Sequence, residues 1–334
     1  MKRLLRGVAL VAGAALVAAG VRTVLAKRRA IGPVPADLRH PVLYAPFQIT
    51  SRTMVRAMAR IPLPAGPVEA GVTVDRRPGP PEVFVYQPSA RALPSGAVLY
   101  IHGGGFVIGH PSTYHPICSR IAADLGVLVV SVNYRKAVGH PFPAGLNDCF
   151  DALTRIHAQA EALGVDPSRI AVAGDSAGGG LAAAVAQMAC DRDVPLAFQA
   201  LIYPMLDDRT VLRQDHIGTG ELVWTPASNR FGWTAYLGHR PGAEEPRPYA
   251  VPARRENLKG LAPAWIGVGD LDLFHAENVE YAGRLSLSGV PTDLVVVPGM
   301  YHGADNFLAD RAPSMITFRD SMLAALRKAI ATRP

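Results

Sequence analysis

The stretch IAVAGDSAGGG, residues 170–180, restricts the fold more than any other part of the chain. Its opening residues read as a strand and the residues from 178 to 191 as a helix, so the five residues Gly174-Asp175-Ser176-Ala177-Gly178 must turn one into the other. A strand that turns this sharply into a helix tolerates only very small neighbours around the residue at the apex. That residue is Ser176, whose side chain then projects from a helix N-terminus, where the Ala177 N–H can meet an anion. A bare G-x-S-x-G is a weak signal. Set between a strand and a helix it is a specific one, and it points to a serine nucleophile.

The surrounding sequence supplies the sheet that such a turn needs. Apolar runs at 83–86, 97–101, 127–133, 170–173, 197–203, 264–268 and 293–297 read as strands, and VLVVSVN at 127–133 is apolar on both alternating faces. Helical patterns at 114–125, 143–163 and 178–191 separate them. This alternation predicts an α/β fold, a mostly parallel central sheet with helices on both faces. A helix-like pattern at 37–61, with Val42, Leu43, Phe47, Met54, Val55 and Met58, precedes a proline-rich link. Residues 205–252 carry Trp224, Phe231, Trp233 and Tyr236 but no strand pattern. An insertion there lies above the carboxyl edge of the sheet, where open α/β sheets place their sites, and the expectation is a helical cap.

A second glycine-rich stretch, His102-Gly103-Gly104-Gly105, directly follows the strand at 97–101. Backbone N–H groups with no side chains in front of them can converge on one oxygen, so Gly104, Gly105 and Ala177 form a candidate oxyanion hole. His102 precedes the serine and is read as an orienting residue. The general base should come last in the chain, after an acid. His302, in VVVPGMYHGAD just past the last apolar strand, fits better than His275, His239 or His216. The acid should follow the strand in AWIGVGDLDLF, which leaves Asp270 and Asp272 both available.

Other classes of function find little support. The formal charge of +7 includes an N-terminal group, Lys2, Arg3, Arg6, Arg22, Lys27, Arg28 and Arg29, and the other basic residues are scattered, with no basic helix and no basic–aromatic alternation, which argues against nucleic-acid binding. Cys118, Cys149 and Cys190 have neither metal-ligand nor disulfide-framework spacing and read as buried free thiols, so no metal site is expected. Residues 7–21 are uncharged and flanked by basic residues, and residues 4–26 are long enough to reach across a bilayer. An uncleaved anchor for residues 1–30 is favoured over a cleaved signal peptide or a helix lying on the domain, which implies a membrane-associated or envelope protein of either orientation.

HGGG, GDSAGGGLA, LDLF and YHG, in this order and spacing, resemble the bacterial hormone-sensitive-lipase-like family of α/β-hydrolases. Residues 222–238 are similar to that family's cap insertion and residues 133–149 to its segment after the third strand. The resemblance covers residues 37–334 as one catalytic domain. It implies an α/β-hydrolase fold with a cap built from about 37–62 and 205–252. It also implies a carboxylic-ester hydrolase with the triad Ser176, Asp272 and His302, the oxyanion donors Gly104, Gly105 and Ala177, and no cofactor. Short to medium acyl esters, small-molecule or lipid, are the expected substrates. An amidase or peptidase with the same triad and a non-catalytic binding protein on the same fold are the alternatives. The chain departs from the family at Lys136-Ala137-Val138-Gly139, where the family has Leu-Ala-Pro-Glu. It departs again at His275-Ala276, in place of Arg-Asp, and at Ala304, in place of Phe.

Overall fold

A computed structural model describes residues 26–331 apart from 46–47, 62–63, 215 and 217. Eight strands form one sheet: β1 (Val72–Arg77), β2 (Glu82–Pro88), β3 (Ser95–Ile101), β4 (Leu128–Asn133), β5 (Val165–Asp175), β6 (Phe198–Ile202), β7 (Ala264–Gly269) and β8 (Thr292–Val297). Their order is β1-β2-β4-β3-β5-β6-β7-β8. β2 runs antiparallel to both β1 and β4, and the pairs from β4 to β8 are all parallel.

Alternation along the central strands divides the core in two. Ala97, Leu99 and Ile101 of β3 join Ile170 and Val172 of β5 on one face, which the helices Ala144–Ala158, Ala177–Asp191 and His275–Leu287 cover. Val98 and Tyr100 join Ala171 and Ala173 on the other, under His115–Leu125 and Pro313–Ile330. Burial on both faces explains why these strands read as unbroken apolar runs.

Two expectations are revised. The pattern at 37–61 is not one helix: single 3₁₀ turns at Ala36–Leu38 and Pro41–Tyr44 precede a short α-helix at Arg52–Met58. Pro41 starts its own turn and cannot donate a backbone hydrogen bond to a preceding one. The segment also divides between the two cores. Leu38 and Leu43 pack on the face of Pro313–Ile330, whereas Ile49 and Val55 pack with the 205–252 insertion, and the Ile49 N–H bonds Ser228 Oγ at 3.0 Å. Strand β1 was not expected, because VTVDRR is half exposed and half charged. Of the three thiols, Cys118 and Cys149 are buried but Cys190 is only partly so.

Between β6 and β7 the chain contains the helix Pro226–Leu237 and the 3₁₀ turns Asp208–Leu212 and Pro252–Arg254. Trp224 and Trp233 of this insertion are buried. The anchor expected from residues 4–26 lies almost wholly outside the described residues. Among the described residues no helix is long and apolar enough to cross a membrane.

Candidate active site

The turn after β5 brings Ser176 to the carboxyl edge of the sheet with φ 54° and ψ −122°, a backbone conformation that non-glycine residues rarely adopt. Its neighbours are small for a reason that the contacts make explicit. A Cβ on Gly178 would stand 2.0 Å from the Ile101 carbonyl oxygen, and one on Gly174 would stand 2.4 Å from the Gly178 oxygen. The strain is held from several sides: Ser176 N donates to Ile202 O at 2.9 Å, and its own carbonyl accepts from Gly180 N and Met205 N.

His302 follows β8 and reaches Ser176 from the far side of the edge, its Nε2 2.9 Å from Ser176 Oγ. Its Nδ1 lies 2.8 Å from Asp272 Oδ2. With Nδ1 protonated toward that carboxylate, Nε2 is left as an acceptor for the serine hydroxyl proton. The second carboxylate oxygen of Asp272 accepts from Phe274 N at 2.9 Å, and all three side chains are buried. Asp270 turns elsewhere and accepts from Gly299 N at 2.7 Å. Aromatic rings enclose the imidazole: Tyr203 and Phe274 meet it edge-on at 4.8 and 5.2 Å, and Trp224 lies 6.3 Å away. His275 begins the helix after Asp272, and His239 bonds Glu245 within the insertion, so neither joins this group.

The loop after β3 crosses in front of the serine turn. Gly104 and Gly105 have φ of 116° and 59°, values that a side chain would strain. The Gly104 carbonyl caps the N–H groups of Val107 and Ile108, which folds the loop back on itself. Among the described residues no protein acceptor takes the Gly104 or Gly105 N–H, and the Ala177 N–H is the first of its helix and has no partner within it. Gly103 N is used differently and donates to Asp175 Oδ1 at 3.0 Å. The His102 ring is fully buried, stacks on Tyr134 at 4.5 Å and bonds the Gly103 carbonyl through Nδ1 at 2.7 Å. Burial first, and the nearby Lys136 ammonium second, hold this imidazole well below the ordinary histidine range, so it is neutral.

Asp175 is the residue that sequence reasoning passed over. Its carboxyl is buried directly beneath the oxyanion loop and takes hydrogen bonds from Gly103 N, Tyr100 Oη at 3.2 Å and Tyr114 Oη at 3.1 Å. Burial and the neighbouring charge of Asp305 push it up to about 7 against the pull of those three donors. It therefore ties the loop after β3 to the turn after β5. The motif contains it, but its partners lie 61–75 residues away along the chain, where no local pattern could announce them.

The grouping is a buried hydroxyl, imidazole and carboxylate in one hydrogen-bonded row, at the start of a helix whose first N–H is free within it and beside a loop whose Gly104 and Gly105 N–H groups have no protein acceptor among the described residues. Such an arrangement can deprotonate a hydroxyl as it attacks and hold the negative charge that then develops. Among the described residues no cluster of side chains suited to a metal ion occurs.

A family model described as alpha/beta hydrolase fold matches residues 98–306. Carboxylesterase NlhH of Mycobacterium tuberculosis is 38% identical over 256 residues, 74% of this chain and 78% of that protein. Esterase LipI of the same organism is 34% identical over 83% of this chain and 87% of its own. Among solved structures a bacterial heroin esterase superposes with a TM-score of 0.79 at 34% identity, covering 90% of this chain and 99% of that one. With the fold, the motif order and these likenesses in agreement, the chain belongs to the hormone-sensitive-lipase-like family of α/β-hydrolases.

Proposed function

We propose that the protein hydrolyses carboxylic esters through an acyl-enzyme on Ser176. The observation that carries this reading is the continuous row Ser176 Oγ–His302 Nε2, 2.9 Å, and His302 Nδ1–Asp272 Oδ2, 2.8 Å. Ser176 Oγ attacks the ester carbonyl carbon while its proton passes to His302 Nε2. The carbonyl oxygen, now negative, takes hydrogen bonds from the Gly104, Gly105 and Ala177 N–H groups, each worth about 3 kcal/mol of barrier. As the intermediate collapses, the C–O bond to the alcohol breaks and His302 returns the proton to the departing oxygen. Water then attacks the acyl-serine by the same route, releasing the acid and restoring the hydroxyl. Asp272 fixes the imidazole tautomer and offsets its charge throughout. No step requires a cofactor.

Short to medium acyl esters suit the enclosure best. A Cβ on Gly105 would stand 2.1 Å from the Trp224 ring, so the indole lies directly against the oxyanion loop, and Phe106 of that loop packs on Trp233 and Tyr236 of the insertion in the same core. The names of the esterases among its relatives agree with ester hydrolysis. In the cell, residues 4–26 would hold this activity at a membrane surface, a reading supported by their uncharged core and basic flanks.

Labelling with a fluorophosphonate tests the reading. The wild-type chain should be labelled on one serine and Ser176→Ala should not be labelled, with hydrolysis of p-nitrophenyl butyrate lost in parallel. Labelling on another serine, with activity kept in the variant, would overturn it.

A further inference from the structure

A second feature of the site edge lies where the chain departs from its family. A cavity of about 680 Å³ opens against Gly103 and Gly104, on the oxyanion loop. Its walls are mostly apolar, with Met58, Ile61, Val107 and Ile108, and the ionisable groups on it are Lys136, His110 and the Tyr114 phenol. Among the described residues no carboxylate lines it, and the nearby Glu82 lies behind His110, 3.9 Å from its Nε2.

Lys136 stands where the family has leucine. The loop that carries it is fixed: Asp148 accepts the Arg135 backbone N–H at 2.7 Å and pairs with the Arg135 guanidinium, with its nearest oxygen at 2.8 Å. The Lys136 ammonium folds over the Tyr134 ring at 3.9 Å and donates to Tyr134 O at 2.5 Å, with Asn133 Oδ1 at 3.4 Å. Among the described residues it forms no ion pair, and Asp148, a nearby acid, is committed to Arg135. A half-buried cation with no direct ion-pair partner on the wall of an apolar cavity is only partly compensated for its lost hydration, by Tyr134 O, Asn133 Oδ1 and the field of Asp148, and an anion entering the cavity would complete that compensation.

Resting on the ester-hydrolase reading above, we propose that this cavity receives the far end of the substrate and that Lys136 selects esters bearing a carboxylate several atoms from the scissile bond. The guest would be a half-ester of a dicarboxylic acid or an ester of a hydroxy acid. Its chain lies along Met58, Ile61, Val107 and Ile108, and its carboxylate meets the Lys136 ammonium. Burial brings the Lys136 ammonium down to about 7, and a carboxylate beside it would restore its proton.

The test compares kcat/KM at low ionic strength for two matched pairs: monoethyl adipate with ethyl hexanoate, and 5-acetoxypentanoate with pentyl acetate. The ratio of anionic to neutral ester should fall at least tenfold in Lys136→Met on one of the two pairs and be largely kept in Lys136→Arg. The pair that responds shows whether the acyl or the alcohol part enters the cavity. No fall on either pair overturns the inference, as does a wild-type enzyme that hydrolyses both anionic esters less than a hundredth as well as their neutral partners. The second criterion needs no variant to fold. Failure of the wild type on the neutral esters would instead remove the ester-hydrolase reading itself, and this inference with it.

Discussion

Asp272 Oδ2 lies 2.8 Å from His302 Nδ1, while Asp270, two residues earlier, bonds the Gly299 N–H at 2.7 Å. Chain order alone could not separate these carboxylates, but their partners do. Asp272→Asn should lose at least two orders of magnitude in kcat, because an amide supports the wrong imidazole tautomer, an effect of ~10⁴-fold in the serine proteases. Asp270→Asn should lose less than tenfold and show its effect mainly as a lower melting temperature. Steady-state kinetics on p-nitrophenyl butyrate, with circular dichroism on both variants, decides between them.

The glycine at 178 should be intolerant for a purely steric reason. A methyl there would collide with the Ile101 carbonyl at 2.0 Å, and the neighbouring atoms are backbone. Gly178→Ala is expected to lower unfolding free energy by at least about 2 kcal/mol and to abolish fluorophosphonate labelling. Gly283, exposed in the helix His275–Leu287 with nothing within 4 Å of its added Cβ, provides the contrast. Gly283→Ala should stabilise the fold by up to about 1 kcal/mol and leave labelling intact. Equal effects at both positions in urea unfolding would contradict the steric account.

Asp175 should make stability fall as pH rises. Folded, its carboxyl holds a proton up to about 7, whereas the unfolded residue releases it near 3.8. Between those values the folded state binds the extra proton, so stability declines with rising pH. His102 acts in the opposite sense: it is neutral when folded, while its unfolded form gains a proton below about 6.5, so stability is lost as pH falls through that region. Asp175→Asn removes only the first contribution. Between about pH 4.5 and 7.5 the stability of the variant relative to wild type should improve by at least about 1 kcal/mol. A difference that stays flat across that range would show that Asp175 is ionised in both states.

Opening the enclosure over the oxyanion loop should widen the acyl range. Trp224→Ala removes the ring that lies against Gly105 and near His302. Octanoyl and decanoyl p-nitrophenyl esters should gain at least fivefold in kcat/KM relative to butyryl in this variant. An unchanged chain-length profile would mean that the acyl group does not pass beneath the indole.

The amino-terminal segment makes a cellular prediction with a structural limit. The full chain should pellet with membranes after a carbonate wash, and a version starting at Lys27 should not. A version starting at Ala36 should be less stable than that from Lys27, because it lacks Ile31 and Val34, which are buried at 5% and 1% exposure. Full-length protein recovered in the supernatant with its first residues intact would remove the anchor.

What could be read from the sequence follows the range of the interactions involved. β3, β4 and the core of β5 announce themselves because each residue is buried whichever face it points to, so local hydrophobicity suffices. The turn around Ser176 is legible because its steric demand falls on residues one or two places away. β1 escapes because an edge strand paired on one side keeps its charged residues exposed. The 37–61 segment misleads because its apolar side chains serve two cores on opposite faces, and helical spacing cannot distinguish that from one amphipathic helix. The bracing of the oxyanion loop by Asp175, Tyr100 and Tyr114 is invisible for a similar reason: the acid is specified by tyrosines from other strands and turns.

The close fit between the turn after β5 and the end of β3 bears on how such an enzyme can change over generations. Gly178 against Ile101 and His102, and Asp175 against Gly103, leave no space for even one methyl group at the junction of the two loops. The loop after β4 is under no such restriction: Lys136 is only partly buried there and Gly139 is exposed. In a chain built this way, side chains of the vestibule can be exchanged to suit another guest without disturbing the reacting centre.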